Sequence, residues 1–300
     1  MISKLKISKI AIATLISAAA VPLLAQETKN TEGSLNPNDY KLNETPAPVA
    51  KLDKSIKPID IKELTKILER KIGTPKGKFE SDSEYRERVD SIVRSISIQG
   101  RTLEDVLPIS VKLDDGFLPY ESIKYKYDAN KEELSLYALA KEKRLSGAIL
   151  DGFINEIINS SFDVFEIERA INSESNYLGS NAFGATKKIK KYEATQYGIA
   201  SAKVDWLYHV RERDYILNNP TARVINLANR AAKEVVPNLS ALILLKIKPP
   251  YIAYSHTWQK PTMELPVEMQ TKGKYLIGDA LGVIYYNKKN KEIIQRLPNE

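Results

Sequence analysis

An α+β fold is predicted for this 300-residue chain: a mostly antiparallel β-sheet with an N-terminal helical pair and at least one further packed helix. Two apolar stripes at helical spacing, each headed by a capping box, occupy residues 60–97. From Ile109 the apolar period changes from helical to alternating, the mark of sheet, and residues 239–247 are nearly all apolar on both faces, as a central strand requires. Hydrophobic residues make up 43% and charged residues 28% of the chain, a globular composition able to build a core.

Residues 1–25, MISKLKISKIAIATLISAAAVPLLA, are laid out as a secretory signal peptide. Lys4, Lys6 and Lys9 form a positive head without an acidic residue, residues 10–24 form the apolar run, and Ala25 stands at the cut, leaving Gln26 as the mature N-terminus. The run is interrupted by Thr14, Ser17 and Pro22 and falls short of the roughly 20 apolar residues a permanent span needs, so no transmembrane span is expected after cleavage. No Cys follows the cut, which removes the thiol a lipid anchor would use. The expected location is the periplasm or the exterior. Residues 26–58 are polar and interrupted by Pro37, Pro46, Pro48 and Pro58, and read as a flexible linker. The folded domain is expected over 59–300, with a candidate sub-boundary near 211–220.

Within that domain Asp60 and Glu63 cap a first helix with Ile61, Leu64, Leu68 and Ile72 on one face, stopped by Gly73. Ser81 and Glu84 cap a second, over 82–97, with Tyr85, Val89, Ile92 and Ile96 recurring. A short helical turn is expected after Thr102, ending at Pro108. Ile109, Val111 and Leu113 then alternate up to a turn at Asp114-Asp115-Gly116. Ile123, Tyr125 and Tyr127 alternate again and resume as Leu134, Leu136 and Ala138 beyond a polar turn, a hairpin signature. Residues 145–158 fit a buried helix or an inserted strand. Phe165, Ile167 and Ile171 alternate before an expected turn at 173–175, and 184–193 reads as another strand.

Val204, Trp206, Tyr208 and Val210 share one face of the next strand, with Asp205, Leu207, His209 and Arg211 on the other. Asn219 before Pro220 is a favourable helix start, with Ile225, Ala228, Ala232 and Val235 as its buried face and Pro237 as its end. Strands are expected over 239–247, 251–258, 275–286 and 292–297, with Asn287-Lys288-Lys289-Asn290 as a hairpin turn. No internal repeat occurs at a solenoid or propeller period.

The same residues exclude several chemistries. The formal charge of +7 falls to +4 once the three leader lysines are removed, too little to demand the basic stripe of a nucleic-acid binder. With no Cys, thiol catalysis, thiolate zinc sites and disulfides are impossible, and two His residues cannot make a three-His metal site. G-x-S-x-G is absent, and the one S-x-x-K spacing, Ser3 to Lys6, lies in the leader. Asp205 and His209 share a strand face but stand roughly 13 Å apart at the strand rise, too far for a hydrogen bond. H-E-x-x-H is missing, and Asp128-x-Asn130-x-Glu132 imitates a calcium loop only until its sixth position, where Glu133 replaces the required Gly. Walker and Rossmann cradles are missing too, and no cofactor or metal is expected. Paired carboxylates remain open for a cell-wall-directed hydrolase, although nothing selects a pair among 38 acidic residues.

Binding has more to work with. Lys187, Lys188, Lys190 and Lys191 flank Ile189 on an expected strand and place ammonium groups on both faces, a candidate site for an anionic partner: an acidic glycan, a lipid head group or an envelope protein. The simpler explanation is an edge strand guarded by lysines. Sixteen tyrosines and two tryptophans offer material for a glycan or peptide platform, although their alternating positions are met by core packing alone.

Gly77-Lys78-Phe79-Glu80-Ser81, followed by Glu84-Tyr85 and Arg88-Val89, forms a G-x-F-E, E-Y, R segment that resembles uncharacterised exported bacterial proteins. Asn181-Ala182-Phe183-Gly184 resembles a later strand region of the same proteins, against which 145–158 is extra material. The resemblance implies shared architecture and carries no activity. Physically, Phe79 and Tyr85 bracket a helix start, and Arg88 is within reach of Glu84 one turn earlier. The whole reading is of an exported soluble envelope protein, a non-catalytic binding or assembly module, with the wall-directed hydrolase as the alternative. Mass spectrometry of the protein isolated from its host should find Gln26 at the N-terminus, and a cytosolic chain retaining Met1 would contradict export.

Overall fold

The structure, a computed structural model, describes residues 50–113, 122–180, 183–202, 204, 208–209 and 223–298. The leader, most of the linker, the turn expected at 114–116, the pair Asn219-Pro220 and most of 203–222 lie outside the described residues.

Both capped helices form. In α1 (Ile61–Ile72) the Asp60 carboxylate accepts from the Glu63 amide at 2.9 Å, and Ile61, Leu64, Leu68 and Ile72 are buried. In α2 (Asp82–Ser95) Ser81 and Glu84 cap each other reciprocally, and Tyr85, Val89 and Val93 are buried. A tight hairpin follows, β1 (Ser97–Ile98) and β2 (Arg101–Thr102), turning through Gln99 and Gly100 at φ 53° and 82°. The short helical turn expected after Thr102 is a single hydrogen-bonded turn, Asp105 N to Thr102 O at 3.3 Å, with the Asp105 carboxylate accepting from the Thr102 amide at 2.7 Å; it ends before Pro108, which lies in β3 (Leu107–Val111). The expected hairpin appears as β4 (Ile123–Asp128) and β5 (Glu133–Arg144), with Ile123 opposite Ala138 and Tyr125 opposite Leu136. Residues 145–158 resolve into β6 (Gly147–Ala148), a 3-10 turn and the start of the short α3 (Ile154–Asn159).

The remaining elements are β7 (Ser161–Ser180), β8 (Thr186–Ser201), β9 (Tyr208–His209), β10 (Arg223–Asn226), α4 (Asn229–Val235), β11 (Leu239–Gln259), β12 (Val267–Asn287) and β13 (Ile293–Leu297). They correct the α+β expectation: the protein is mostly β, 54% strand against 20% helix, built on one large mixed sheet. Three local differences produce the change. β7 passes straight through Ser173-Glu174-Ser175 with a bulge between Ile171 and Ser173 instead of turning. The strands expected at 239–247 and 251–258 are one, β11, with a register shift around Pro249-Pro250. Ile225 belongs to β10, so the helix expected from Pro220 is reduced to α4.

The sheet runs β10-β5-β7-β8-β12-β11-β3, with β4 and β9 also on β5, β13 on β12 and β6 on β11. Two pairings, β8 with β12 and β5 with β9, are parallel and the other strand pairings antiparallel, so the sheet expected to be mostly antiparallel is a mixed one. β7–β8 and β11–β12 are long hairpins, and the parallel β8–β12 seam joins them side by side.

The main core lies where α1 and α2 cover one face, bringing Leu64, Leu68, Tyr85 and Val89 against a layer that includes Phe165, Ile199, Ile252 and Leu276. The opposite face carries a smaller cluster of Phe162, Val164, Ala200, Tyr275 and Ile277 beneath Ile157 of α3. Burial on both faces explains why 239–247 shows no polar alternation: Ala241, Leu242, Ile243 and Leu245 are all fully buried. Residues 50–59 are docked onto this body. Ala50 O accepts from Ile293 N, Lys51 bridges Glu292, Leu52 is buried beside Leu242 and Ile284, and Ile59 pairs with Ile109. Ile243→Ala should lower stability by about 2–5 kcal/mol in urea unfolding, because the fully enclosed site cannot collapse around the missing atoms.

Candidate functional site

Beyond the helices the two hairpins continue as a projecting arm. β7 is buried through Ile167 and exposed from Ile171 onward, while β8 is exposed over its first residues and buried from Ala194. The described arm, residues 171–180, 183–194 and 256–272, holds six lysines (187, 188, 190, 191, 260 and 272) against four glutamates (174, 193, 264 and 268), with Glu193 3.8 Å from the Lys191 ammonium. It also carries most of the exposed large apolar side chains: Ile171, Tyr177, Leu178, Phe183, Trp258 and Met263.

Strand pairing sorts these residues by face. Tyr177 lies opposite Ile189, Lys191 opposite Glu268, and Gln270 opposite Trp258, so these six share one face. On that face the Glu268 carboxylate accepts from Tyr177 Oη at 2.7 Å, Gln270 Nε2 at 3.0 Å and Trp258 Nε1 at 3.2 Å. The Tyr177 hydrogen bond, then that of Gln270, holds the carboxyl below the ordinary glutamate range; nearby Lys191 and the indole N–H add to the effect. Glu268 itself is only 7% exposed, whereas Trp258 is 55% and Tyr177 40% exposed. A saturated carboxylate thus pins two half-open rings into a row, and Lys260 lies over the indole, 5.0 Å from its centroid.

The lysine run divides across the sheet. Lys187 and Lys191 share the face of this row, with Lys187 donating to the Met263 carbonyl of the neighbouring hairpin, while Lys188 and Lys190 point to the other face beside Leu178 and Asn176. β8 pairs with β7 along the whole run and with β12 from Lys190, so the run does not lie on a lone edge strand. Protection of an edge therefore does not account for it beyond Ile189.

Nearer the body, the second face carries a buried charge network. Glu166, 4% exposed, is bracketed by Lys141 at 2.8 Å and by Lys143, and Lys143 approaches Tyr275 Oη at 3.5 Å, which Ser255 Oγ meets at 3.4 Å. The ring of Tyr275 fits only because Gly198 and Gly273 lie beneath it; an added Cβ would stand 2.8 and 2.5 Å from ring atoms. Burial opposes ionisation of Glu166, yet the two lysines outweigh it and hold the carboxyl below its ordinary value. Burial likewise opposes the Lys143 charge, and Glu166 and Tyr275 overcome it, so its pKa lies above the ordinary lysine value. Ser255, Tyr275 and Lys143 form a proton-bearing chain, but Glu166 fixes its lysine as the cation, which cannot serve as a base.

A cleft of about 440 Å³ opens between α2 and the 249–251 segment of β11, with Asp82, Arg86, Asp90, Phe153 and Tyr251 among its lining. Tyr251 donates to Asp90 at 3.3 Å, and burial pushes its phenol up to about 12. Hydrogen bonding by Lys76 lowers Asp82. In the resembling segment Arg88 clasps Glu80 at 2.7 and 3.0 Å, not Glu84, which is engaged by Ser81; the Arg88 hydrogen bond lowers Glu80 to about 2. Among the described residues each carboxyl the fold perturbs, Asp53, Glu80, Asp82, Glu84, Asp105, Glu166 and Glu268, is shifted downward. A general acid needs the opposite shift.

Among the described residues no cluster of three or more His, Asp or Glu is arranged to hold a metal. The calcium-like segment is a plain turn in which Asp128 accepts from the amides of Asn130 and Lys131. Asp205 lies outside the described residues, and His256 is exposed on β11 opposite Lys272. Comparison of the chain with protein-family models, curated proteins and solved structures finds no match.

The sequence reading singled out the lysines but not Tyr177, Trp258, Glu268 and Gln270, which reach one another across three different strands. The absence of apolar alternation over 171–191 beside an unusual charge run was the available signal of strands exposed on both faces. Glu166→Gln tests the network. Because its carboxyl is depressed in the fold, its contribution is complete above the ordinary value of 4.5 and is lost as pH falls through the lower folded value. The variant should lose about 3 kcal/mol at neutral pH, the low end for a buried pair since both lysines are about a quarter exposed, and should show a flatter loss of stability below pH 4.5.

Proposed function

We propose that the protein is an exported, non-catalytic envelope module and that its projecting arm is the surface on which it holds an anionic partner. The leader-like first 25 residues motivate export. One observation carries the rest: lysines on both faces of a four-stranded arm, interleaved with exposed aromatic and aliphatic side chains on strands that are already hydrogen-bonded into a sheet. Such a surface offers charge for attraction and apolar area for residence without having to reorganise.

The wall-directed hydrolase draws less support, because its acid must hold a proton at neutral pH, and the perturbed carboxyls among the described residues are moved the other way. Among the described residues no helix is long and apolar enough to cross a membrane, which agrees with a role that needs no helical span.

Mature protein immobilised and exposed to mildly crosslinked envelope extract should retain a partner in stoichiometric amount. The variant Lys187→Gln/Lys188→Gln/Lys190→Gln/Lys191→Gln should lose most of that retention while unfolding at an unchanged temperature. Equal capture by both proteins, or none by either, would count against the arm as the binding surface. Release of soluble fragments from purified wall polymer would reinstate the hydrolase.

A further inference from the structure

The far end of the arm is built differently from its faces. Because β8 and β12 run parallel, the turns of both hairpins lie at the same end. β7 and β8 pair out to Ser180 opposite Thr186, whereas β12 joins β8 only from Lys190, so the first hairpin overshoots the second by four residues, about 13 Å of strand. The second turn is fastened along its flank by the Lys187 ammonium on Met263 O and by Lys190 N on Pro266 O at 3.0 Å.

At the apex Phe183 is 96% exposed and Leu178 77%, with Met263, at 42%, on the second turn. Lys187 and Lys188 lie on the strand opposite Gly179 and Leu178, and Trp258, with Lys260 over its ring, stands farther back. Glu264 is the acidic side chain on the second turn, and Glu268 is enclosed by its own donors. Apolar and cationic side chains share the tip: Leu178 is opposite Lys188, Lys187 is one residue nearer the turn, and Tyr177 is one residue behind Leu178.

Resting on the reading of the arm as the binding surface, we propose that its apex docks into the headgroup layer of an anionic bilayer. Phe183, Leu178 and Met263 reach the boundary with the acyl chains, the lysines meet lipid phosphates, and Tyr177, one residue behind Leu178, lies at headgroup depth. The overhang of the first hairpin keeps one open edge on each strand, so its backbone stays in the hydrated headgroup layer and only apolar side chains reach the acyl boundary. The flat stacking surface of a glycan site does not explain a protruding phenylalanine and leucine at the tip, and the lysine excess matches a surface of negative lipids.

Mature protein sedimented with vesicles of phosphatidylcholine and phosphatidylglycerol in equal parts should co-pellet at low salt, be released as salt rises, and stay in solution with phosphatidylcholine alone. Phe183→Ser/Leu178→Ser should weaken partitioning about tenfold or more, and Lys187→Gln/Lys188→Gln/Lys260→Gln about fivefold per charge removed. Both replace exposed side chains, so an unchanged unfolding temperature checks that they fold. No pelleting with the mixed vesicles, or equal pelleting of the wild type and the apex variant, overturns the inference. If arm-dependent capture from envelope extract persists in that case, the binding arm stands and its partner is a protein or a glycan. If capture also fails, both readings fall.

Discussion

Eleven consecutive parallel pairs between β8 and β12, from Lys190 opposite Val267 to Ala200 opposite Ile277, hold the molecule together. Each of these strands already has an antiparallel partner in its own hairpin, so the seam turns two ribbons into one sheet broad enough to be covered on both faces. Isolated two-stranded ribbons are marginal in water. Joined, they form a floor for α1 and α2 on one side and α3 on the other, and they keep enough rigidity to run on unsupported as an arm. Even α1 is fastened across the seam region: Glu69 takes Lys274 of β12 at 2.8 Å and Tyr254 of β11 at 3.4 Å.

Two electrostatic arrangements divide the sheet. On the body, a buried Glu166 between two lysines converts a polar position into a fixed charge network behind Tyr275. On the arm, the Glu268 carboxylate keeps its charge and is saturated by the neutral donors of Tyr177, Trp258 and Gln270, which fixes two half-exposed rings among the lysines. Both carboxylates are therefore structural, and what they hold differs: a charge network in the first case, a pair of rings in the second.

The local signals were legible in the sequence and the long-range ones were not. Asp60 with Glu63 and Ser81 with Glu84 are contained within single turns, so the helix starts could be read directly. The β4–β5 hairpin was legible because one of its faces is buried and its residues alternate accordingly. The arm was not: strands exposed on both sides carry no apolar alternation, and Ser173-Glu174-Ser175 has the composition of a turn while being paired along its length. Glu166 escaped for another reason, a bulge between Glu166 and Glu168 that changes which side chains face inward. The lysine run was visible as charge, but its place inside the sheet depends on β12, which begins about 75 residues later.

The clasp of residues 50–52 onto 291–293 carries a practical meaning for the geometry of the molecule. Both ends of the described body are gathered where β12 finishes, whereas the apex lies where it starts, up to about 65 Å away along a strand of 21 residues. A fluorophore or affinity handle attached at 50–52 or 291–293 would thus sit at the opposite pole from the apex, leaving the tip unobstructed.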